Sequence, residues 1–520
     1  MMRRPILLLL ALPALACAGD GAGPASGTPP ASRPVLAASY RPTGRGAAGD
    51  VFVHLFEWKW PDIARECEQV LGPAGYAAVQ VSPPQEHSVE PSHTWSQRYQ
   101  PVSYGIERSR SGTGAEFADM VARCRAAGVG IYVDAVINHM TNYPSPGTGS
   151  NGTAYSKYSY PGLYSPADFH PPCALHDYRS AANVQDCELY SLPDLHTGLA
   201  SVRRTIADYL LMLARLGVAG FRIDAAKHIQ QVELDAIIGL VNRTLTAEGR
   251  TLPYVFLEIA GGRDEALGPA DYFGVGYDSG GASDITEFTF AGVGDKFRGL
   301  GGQHLAQLDP DGPPGSQFSP GAWGLLPSDK AVVFLQNHDT QRQGSLGYRD
   351  GAVFRLANVW MLAQPYGHPA ILSGYAFTSS TAGPPSDASG RTLDVRCADR
   401  LEDAAAGEWT CEHRDPAIAR MVDFRRAVAG SGVAHWWDNG ANAIAFSRGD
   451  RGFVAINRES TRLVAAVPSG LAPGVYCDLL TGGRAGSDCA GSRVTVAEGG
   501  AVQLDLAADA AIALLREDRL

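Results

Sequence analysis

Four short segments of this chain share one pattern, in which a continuous apolar run ends in carboxylate, amide or imidazole side chains. They are residues 129–139, 220–228, 251–260 and 330–339. Continuous apolar runs are typical of strands that are buried on both faces, as in a parallel sheet. Two of the runs follow amphipathic helical patterns that end at a glycine, residues 116–127 and 202–216. The repeated order of helix, glycine, strand and polar strand end predicts a (β/α)8 barrel with its site at the carboxyl ends of the strands.

The segment 220–228 reads Gly-Phe-Arg-Ile-Asp-Ala-Ala-Lys-His and places Arg222 two residues before Asp224. On a strand both side chains project to the same side, and neither residue type is often buried without a partner. Arg222 is therefore expected to hold Asp224 ionised, which a glycoside-cleaving nucleophile requires. An isolated pair of this kind would more readily be a structural ion pair. Four polar strand ends in register favour a catalytic face.

The four segments resemble the four signature regions of the α-amylase family, which are glycoside hydrolases on a TIM barrel. The resemblance continues through residues 50–84, 98–104, 364–367 and 437–457, and it covers roughly residues 48–520. It is strongest to the secreted α-amylases of animals and actinobacteria. It implies an α/β fold, namely a (β/α)8 TIM barrel with a domain B inserted after strand 3 and a C-terminal antiparallel β-sandwich, domain C.

The pattern along the chain suggests where these domains begin and end. Residues 138–195 lose helical periodicity and are rich in Pro, Gly, Ser, Tyr and Asn, which is more typical of a functional insertion than of an ordinary loop. We expect this stretch to be domain B and the barrel to occupy residues 40–137 and 196–430. Short alternating runs separated by turn residues predict an all-β domain over residues 431–520.

The N-terminus has the composition of a targeting segment. Two arginines precede an apolar stretch, residues 6–16, which is too short to span a bilayer and is followed by small residues. We expect a signal peptide over residues 1–18, cleaved after residue 16 or 18, and a flexible linker over residues 19–39. Cys17 lies at this boundary and also fits a lipoprotein with an acylated N-terminal cysteine. The protein is expected to be secreted, with a lipid anchor at Cys17 as the membrane-tethered alternative.

Composition narrows the possible partners. The net charge of −11 and the absence of a basic cluster argue against a nucleic acid, whereas a neutral polymer needs no compensating charge. Beyond the N-terminus no apolar run reaches the length of a transmembrane segment. The expected partner is a starch, glycogen or maltooligosaccharide substrate, and the protein is expected to be a monomer.

Cysteine usage indicates an oxidising compartment. Nine cysteines are present, and removing Cys17 leaves an even eight. Spacing alone cannot choose among the possible connectivities, and a structural zinc site is the alternative, although no pair has the close spacing that zinc sites use. The family resemblance implies the pairs Cys67–Cys124, Cys173–Cys187, Cys397–Cys411 and Cys477–Cys489.

The resemblance also assigns catalytic roles. Cleavage with retention requires a carboxylate nucleophile and a carboxylic acid on opposite sides of the bond. The resemblance implies that Asp224 is the nucleophile and that Glu258 is first the general acid and then the base. Asp339 is implied as the third carboxylate, which holds substrate hydroxyls. A salt-bridged strand-end glutamate is the alternative for Glu258.

Further residues are implied to bind the sugar. Polysaccharides need apolar surfaces because sugar faces stack on aromatic rings. Many relatives have two adjacent tryptophans where this chain has Trp95 followed by Ser96, so one glucose subsite is expected to be weaker. Trp95 could instead be a core aromatic residue. The implied sugar-binding set is Trp95, Tyr99, Gln100, His139, Arg222, Lys227, His228 and His338.

A calcium ion is implied between the barrel and domain B. Calcium prefers six to eight oxygen ligands that mix carboxylate, amide and carbonyl groups. The resemblance matches Asn138 and Asp194 to side-chain ligands and Gln185 and His228 to backbone carbonyl ligands. An ordinary turn residue is the alternative for Asn138.

Chloride is not expected to activate the protein. Chloride-activated relatives use an arginine and an asparagine that match Arg222 and Asn337, together with a second basic residue. The resemblance places Ala352 at that second position, with Arg355 one turn away. Without a second cation an anion would be poorly held.

Together these features predict an endo-acting α-amylase that hydrolyses α-1,4-glucosidic bonds with retention of configuration. An exo-acting or maltooligosaccharide-forming amylase, or a transglycosylase on the same barrel, remains an alternative, because these enzymes differ in loops around the cleft. A catalytically silent carbohydrate-binding protein is the alternative from another class. Such a protein would be expected to have lost one of the three carboxylates.

Overall fold

The computed structural model describes residues 42–262, 264–272 and 283–520. The predicted signal peptide, the predicted linker and Cys17 lie outside the described residues. Within those residues, no helix combines the length and the apolar character needed to cross a bilayer.

Eight parallel strands form a closed barrel in which each strand pairs with its neighbours in chain order. The strands are β1 Phe52–Leu55, β2 Ala78–Val81, β3 Gly130–Ala135, β4 Gly220–Ile223, β5 Tyr254–Leu257, β6 Asp284–Thr286, β7 Ala331–Val333 and β8 His368–Ser373. Nearly every strand residue is buried, because the strands face the barrel interior on one side and the helices on the other. The predicted (β/α)8 barrel is confirmed.

The α-helices of the described residues cover the outside of the barrel, apart from the one at residues 181–186, which lies in the chain between the third and fourth strands. They are α1 Arg45–Ala48, α2 Trp60–Glu66, α3 Gly114–Ala126, α4 Ala181–Asp186, α5 Ala200–Leu216, α6 Gln231–Ala247, α7 Val293–Arg298, α8 Pro320–Trp323, α9 Ala352–Ala363 and α10 Pro416–Ala427. Helix α3 begins with a capping box between Thr113 and Glu116. Helix α5 ends at Gly217, whose φ of 104° lets its N–H bond back to Leu213 and Ala214. The two helical patterns read from the sequence are confirmed to within two residues.

The chain between β3 and α5 contains only short elements among its described residues. They include α4 and a small ribbon formed by Gly147–Thr148 and Ala154–Tyr155. A β-bridge between His139 and Asp194 joins the beginning of this stretch to its end. It begins where β3 ends, at the position expected for domain B.

The C-terminal part forms two four-stranded antiparallel sheets, as predicted. Their strands are β9 Val433–Asp438, β10 Ala443–Arg448, β11 Gly452–Asn457, β12 Leu463–Pro468, β13 Gly474–Cys477, β14 Arg493–Val496, β15 Ala501–Leu506 and β16 Ala510–Leu515. One sheet has the order β9-β10-β11-β16 and the other β12-β15-β14-β13. Apolar residues of both sheets form a shared core that includes Phe453, Tyr476 and Leu504.

All four disulfides implied by the resemblance are present. They join Cys67 to Cys124, Cys173 to Cys187, Cys397 to Cys411 and Cys477 to Cys489. The zinc alternative is therefore excluded for these eight cysteines. Disulfides of this number are typical of proteins that fold in an oxidising compartment.

Candidate active site

Arg222 lies at the centre of a group of three carboxylates. Its Nη1 atom lies 2.5 Å from Asp134 Oδ1 and 2.9 Å from Asp224 Oδ1, and its Nη2 atom lies 2.6 Å from Glu258 Oε1. The parallel register explains this arrangement, because Asp134 on β3 is the direct neighbour of Arg222 on β4. One buried cation therefore holds acids from three adjacent strands in a single cluster.

The geometry of Asp224 and Glu258 follows from this shared partner. The two carboxyl groups contact the two terminal nitrogens of the same guanidinium. Glu258 also accepts a hydrogen bond at Oε2 from the backbone N–H of Ala225 at 2.8 Å. Ala225 has a φ of 49°, a conformation uncommon for a residue with a side chain, and this aims its N–H at Glu258.

The third predicted carboxylate, Asp339, belongs to the same site. It follows β7, where the Asn337 side chain accepts hydrogen bonds from the N–H groups of Asp339 and Thr340 at 3.0 and 2.8 Å. His338 Nε2 lies 3.3 Å from Asp339 Oδ2. Burial and then the charge of Glu258 raise the pKa of Asp339 to about 7, and Arg222 opposes both effects.

The carboxyl cluster retains protons more readily than isolated acids would. Burial is the main cause that raises the pKa of Asp224, the charge of Glu258 adds to it, and Arg222 acts in the opposite direction. Burial also raises the pKa of Asp134. Because these groups interact, proton uptake belongs to the set rather than to one residue. Such a set can keep one acid protonated beside an ionised neighbour.

Aromatic rings form one side of the site. The Tyr99 ring stacks on the His338 ring at 5.1 Å, and its hydroxyl donates to Asp134 Oδ2 at 3.0 Å. Trp95 contacts both rings edge-on, at 5.7 Å from Tyr99 and 5.6 Å from His338. Trp95 is only partly buried and donates through Nε1 to Ser380 O. Trp95 therefore lies beside the carboxylates and is not fully buried in the core.

Two predicted sugar-binding side chains make hydrogen bonds within the protein. The Gln100 amide donates to Glu90 Oε1 at 2.7 Å and accepts from Thr141 Oγ1 at 3.0 Å. His139 Nε2 lies 3.0 Å from the carbonyl oxygen of Tyr99, and burial lowers the pKa of His139 to about 4. In this arrangement a neutral His139 donates to that carbonyl and supports the turn that carries Tyr99.

Lys227 and His228 lie in the turn Ala226–His228 that follows β4. Lys227 Nζ donates to Ala260 O at 2.8 Å and forms an ion pair with Glu265. Its ammonium also lies 4.9 Å from the centre of the Tyr178 ring. His228 Nδ1 contacts Val184 O at 2.8 Å, and burial lowers the His228 pKa to about 4. A neutral His228 that donates through Nδ1 presents Nε2 as a hydrogen-bond acceptor.

Sequence reasoning did not assign several residues that the structure brings to this site. They are Asp134, Tyr178, Glu265 and Arg342. Asp134 could have been found, because it ends an apolar strand in register with Arg222. Arg342 lies 5.0 Å from the Trp95 ring and donates to His338 O, but nothing in the local sequence indicates these contacts.

The four residues implied for calcium come together as two pairs. Two backbone contacts bring Asn138 and Asp194 together. The N–H of Leu195 donates to the carbonyl oxygen of Asn138 at 3.0 Å, and His139 forms a β-bridge with Asp194. Gln185 lies on α4, which packs on the turn Ala226–His228. Asp194 Oδ1 is buried without a hydrogen-bond partner, and burial raises the Asp194 pKa to about 7. A buried carboxylate oxygen without a donor fits a calcium ligand.

The described residues contain no cluster of three His, Cys, Asp or Glu side chains suited to a metal. The donor set at Asn138 and Asp194 differs in kind, because amide and backbone carbonyl oxygens would complete it. Such a set suits a hard cation such as calcium rather than zinc. The residues present therefore fit the implied ion.

The region implied for chloride contains one cation. A cavity of about 30 Å³ lies below Arg222 and is lined also by Asn337, Gln336 and Ala370. Its two histidines, His54 and His338, have pKa values lowered by burial. Arg355 lies on α9 and pairs with Asp415 and Glu402 instead.

Comparisons with known proteins agree with this geometry. The profile described as alpha amylase, catalytic domain, matches residues 82–242, and the profile described as alpha amylase, C-terminal all-beta domain, matches residues 435–517. The chain is 42% identical to an α-amylase of Tenebrio molitor over 87% of this chain and 94% of that protein. It is also 42% identical to an α-amylase of Streptomyces violaceus over 99% of this chain and 79% of that protein.

A solved structure shows the same similarity. A variant of α-amylase I from Eisenia fetida in complex with maltohexaose is 36% identical, with a TM-score of 0.81 over 93% of this chain and 99% of that one. Asp224, Glu258 and Asp339 lie in one site on the barrel, and the similar α-amylases span most of the chain. This chain is an α-amylase and belongs to the α-amylase family of glycoside hydrolases.

Proposed function

We propose that this protein hydrolyses internal α-1,4-glucosidic bonds of starch, glycogen and maltooligosaccharides with retention of configuration. The observation that carries this proposal is the contact of Asp224 and Glu258 with the two terminal nitrogens of Arg222. Retaining glycosidases hold their two carboxyl groups about 5–5.5 Å apart, because no water has to fit between nucleophile and sugar. A shared guanidinium is an effective way to keep two acids at short separation.

In the first step, Asp224 attacks the anomeric carbon while Glu258 gives its proton to the oxygen of the leaving sugar. The bond between the anomeric carbon and this oxygen breaks, and a glycosyl-enzyme ester forms at Asp224. In the second step, Glu258 takes a proton from water, whose oxygen attacks the same carbon and releases Asp224. Arg222 favours the ionised form of Asp224, while burial and neighbouring charge favour a proton within the set.

Asp339 is assigned to hold the sugar ring at the bond that is cleaved. Its raised pKa means that it carries a proton for part of the neutral range and can donate to a substrate hydroxyl. His338 lies between Asp339 and the rings of Tyr99 and Trp95. These rings provide an apolar face for a glucosyl unit.

The remaining substrate contacts are assigned by position. Lys227, paired with Glu265 and close to Tyr178, is proposed to contact the sugar on the leaving-group side. His228 is proposed to accept a hydroxyl hydrogen through Nε2. His139 and Gln100 are proposed to act on the opposite side, where a sugar hydroxyl would have to share or replace their contacts with Tyr99, Glu90 and Thr141.

Calcium is proposed as a structural cofactor. Asn138 and Asp194 would supply side-chain oxygens, and Gln185 and His228 would supply carbonyl oxygens. A bound calcium supplies positive charge that neutralises the buried Asp194 carboxylate. His228 belongs to both the proposed ion site and the proposed sugar site, and His139 forms a β-bridge with Asp194, so the fold of domain B and the shape of the cleft are coupled.

Activity is proposed to be independent of chloride. The positive charge of Arg222 is already shared among three carboxylates, and no second charged side chain lines the cavity below it. An anion there would lack the second cation that it needs. Adding chloride to a halide-free preparation should change kcat by less than about twofold, and a strong activation would overturn the proposal.

Secretion is proposed from the predicted signal peptide and is compatible with the four disulfides. Mass spectrometry of the N-terminal peptide from the native host would distinguish a cleaved, unmodified N-terminus from an acylated Cys17. A monomer is proposed for the folded protein, and sedimentation would test it.

Digestion of soluble starch with time-resolved product analysis tests the proposed reaction. Endo attack predicts mixed oligosaccharides early, whereas an exo-acting or maltooligosaccharide-forming enzyme would release one dominant product. Transglycosylation would show as products longer than the starting oligosaccharide. Asp224→Asn should lose at least about 10⁴-fold in kcat but keep oligosaccharide binding, because the amide cannot act as nucleophile. Hydrolysis that persists in this variant would refute the assigned nucleophile.

A further inference from the structure

Two exposed tyrosines lie close together beside the active site. Tyr143 is 54% exposed and Tyr190 is 57% exposed, whereas every other Tyr, Phe and Trp in the described part of the chain is buried or half-buried. Asn142 Nδ2 donates to Ser191 O at 2.5 Å, so the residues next to the two tyrosines are in direct contact. Exposed large rings that occur together, and nowhere else in the described chain, indicate a binding surface.

The segment that carries Tyr190 runs along the rim of the active site. At its start, Val184 O contacts His228 Nδ1 at 2.8 Å. At its end, Asp194 bridges to His139. Tyr190 lies midway between these two attachments, in the short turn Leu189–Ser191. Partial burial, and then the charges of Asp339 and Glu258, raise the Tyr190 pKa, so its hydroxyl is within electrostatic reach of both acids.

Tyr143 is connected to the opposite side of the cleft. Its backbone N–H donates to Thr141 Oγ1 at 3.3 Å, and Thr141 Oγ1 donates to Gln100 Oε1 at 3.0 Å. Gln100 directly follows the turn Trp95–Tyr99, which carries the aromatic rings of the site. The exposed tyrosines are therefore continuous with the cleft at both ends.

The backbone at Tyr190 is unfavourable for a tyrosine. Tyr190 has φ 52° and ψ 33°, and Ser191 has φ 64°, so two successive residues with side chains adopt the left-handed conformation. Glycine or asparagine would adopt this conformation at lower cost. The turn alone does not explain a bulky ring at this position, and backbone strain of this kind is concentrated at functional sites.

We propose that Tyr143 and Tyr190 form a tyrosine platform on domain B, against which glucosyl units of an α-glucan stack outside the catalytic subsites. This inference rests on the proposed function and adds that the enzyme prefers longer glucan chains. The occupant is a neutral glucan, because the two rings continue the cleft and stacking needs no charge. The platform supplies ring surface in a cleft where Ser96 follows Trp95.

The experiment compares a long and a short substrate in variants that remove or keep each ring. Tyr190→Asn and Tyr143→Ala remove a ring, whereas Tyr190→Phe and Tyr143→Phe keep it. For maltoheptaose we expect kcat/KM to fall about 5- to 10-fold in the first two variants and to stay within about twofold in the phenylalanine variants. For maltotriose all four should stay within about twofold of wild type. Val464→Ala, at an exposed apolar position on β12, is the control and should behave as wild type.

Two further measurements separate a binding role from a structural one. Tyr190→Asn should have an unchanged or higher Tm, because asparagine tolerates the left-handed backbone better than tyrosine. In the Asp224→Asn background, Tyr190→Asn should weaken maltoheptaose binding by a similar 5- to 10-fold factor, roughly the worth of one stacked ring. If wild type hydrolyses both substrates and the ring-removing variants keep its ratio of kcat/KM values, the platform is refuted. If wild type hydrolyses neither, the proposed function itself fails.

Discussion

At the scale of single residues, the site depends on one cation shared by three acids. Arg222 is buried and contacts Asp134, Asp224 and Glu258, while the pKa of Asp224 is raised by burial and lowered by Arg222. A guanidinium can do this because its two terminal nitrogens and fixed plane hold several oxygens at once, which an ammonium cannot. The ionisation of the nucleophile therefore depends on the shape of Arg222 as well as on its charge.

Arg222→Lys is predicted to reduce kcat by about 100-fold or more, because a lysine cannot hold both Asp224 and Glu258. Weaker pairing should raise the pKa of Asp224, and the nucleophile must be ionised. The acid limb of the pH profile of kcat/KM should therefore move to higher pH. The matched control is Arg355→Lys, which changes an ion pair made by an arginine of α9 and should leave the pH profile unchanged. An unchanged acid limb in Arg222→Lys would contradict this account.

Asp339 illustrates how an active site reduces stability. Its folded-state pKa of about 7 lies above the ordinary value of an aspartate, so the folded protein binds a proton that the unfolded chain releases between about pH 4 and 7. The carboxyl group therefore costs stability increasingly as the pH rises through this range. Asp339→Asn should raise Tm by roughly 1 °C or more at pH 8 and should give no gain at pH 4. Equal Tm changes at both pH values would show that ionisation is not the cause.

At the scale of elements, strands could be predicted more reliably than loops. The apolar runs of β3, β4, β5 and β7 are visible in the sequence and predict strands. The parallel register of these strands determines that Asp134, Arg222 and Asp224 meet. Contacts between loops have no such local signal. The pair between Lys227 and Glu265 and the contacts of Gln100 with Glu90 and Thr141 depend on loop conformations that tertiary packing sets. Sequence therefore predicted which residues surround the site better than it predicted their hydrogen bonds.

A second feature at the scale of secondary-structure elements is the buried C-terminal end of α9. The last carbonyl groups of a helix have no partner within the helix. Arg425 on α10 donates to Leu362 O, Gln364 O and Gly367 O, and Arg448 on β10 donates to Ala363 O at 2.6 Å. The two arginines thus join α9 to α10 and to the first strands of domain C.

Arg425→Met is predicted to destabilise the protein by about 3–5 kcal/mol, because it leaves several buried carbonyl groups unpaired. The matched control is the neighbouring Arg426→Met, which removes an exposed contact with Gly75 O and should cost less than about 1 kcal/mol. Urea unfolding measures both variants. The specific activity of correctly folded Arg425→Met should equal that of wild type, since α9 ends just before β8 begins, whereas the carboxylates lie at the carboxyl ends of the parallel strands. Equal stabilities of the two variants would contradict the capping role.

At the scale of the whole molecule, the stretch between β3 and α5, the proposed domain B, is attached to the barrel at residues that also surround the cleft. His139 and His228 follow β3 and β4, and each is bonded to the stretch that runs from α4 to Asp194. The disulfide between Cys173 and Cys187 joins this stretch to the residues that precede α4. Anything that loosens this attachment should therefore change activity and stability together.

Removing calcium is predicted to lower both the activity and the stability of the protein. Without a cation, the buried carboxylate of Asp194 would have to be neutralised by a proton or by His170, whose Nδ1 lies 2.7 Å from Asp194 Oδ2. A chelator should lower Tm by roughly 5 °C or more and reduce activity on starch, and added calcium should restore both. Magnesium should restore them poorly, because it requires a smaller and more regular set of ligands. Asp194→Asn should weaken the effect of the chelator, whereas Asp177→Asn, at a part-exposed carboxylate of domain B, should not. If the chelator leaves Tm and activity unchanged in wild type, the ion does not hold domain B on the barrel.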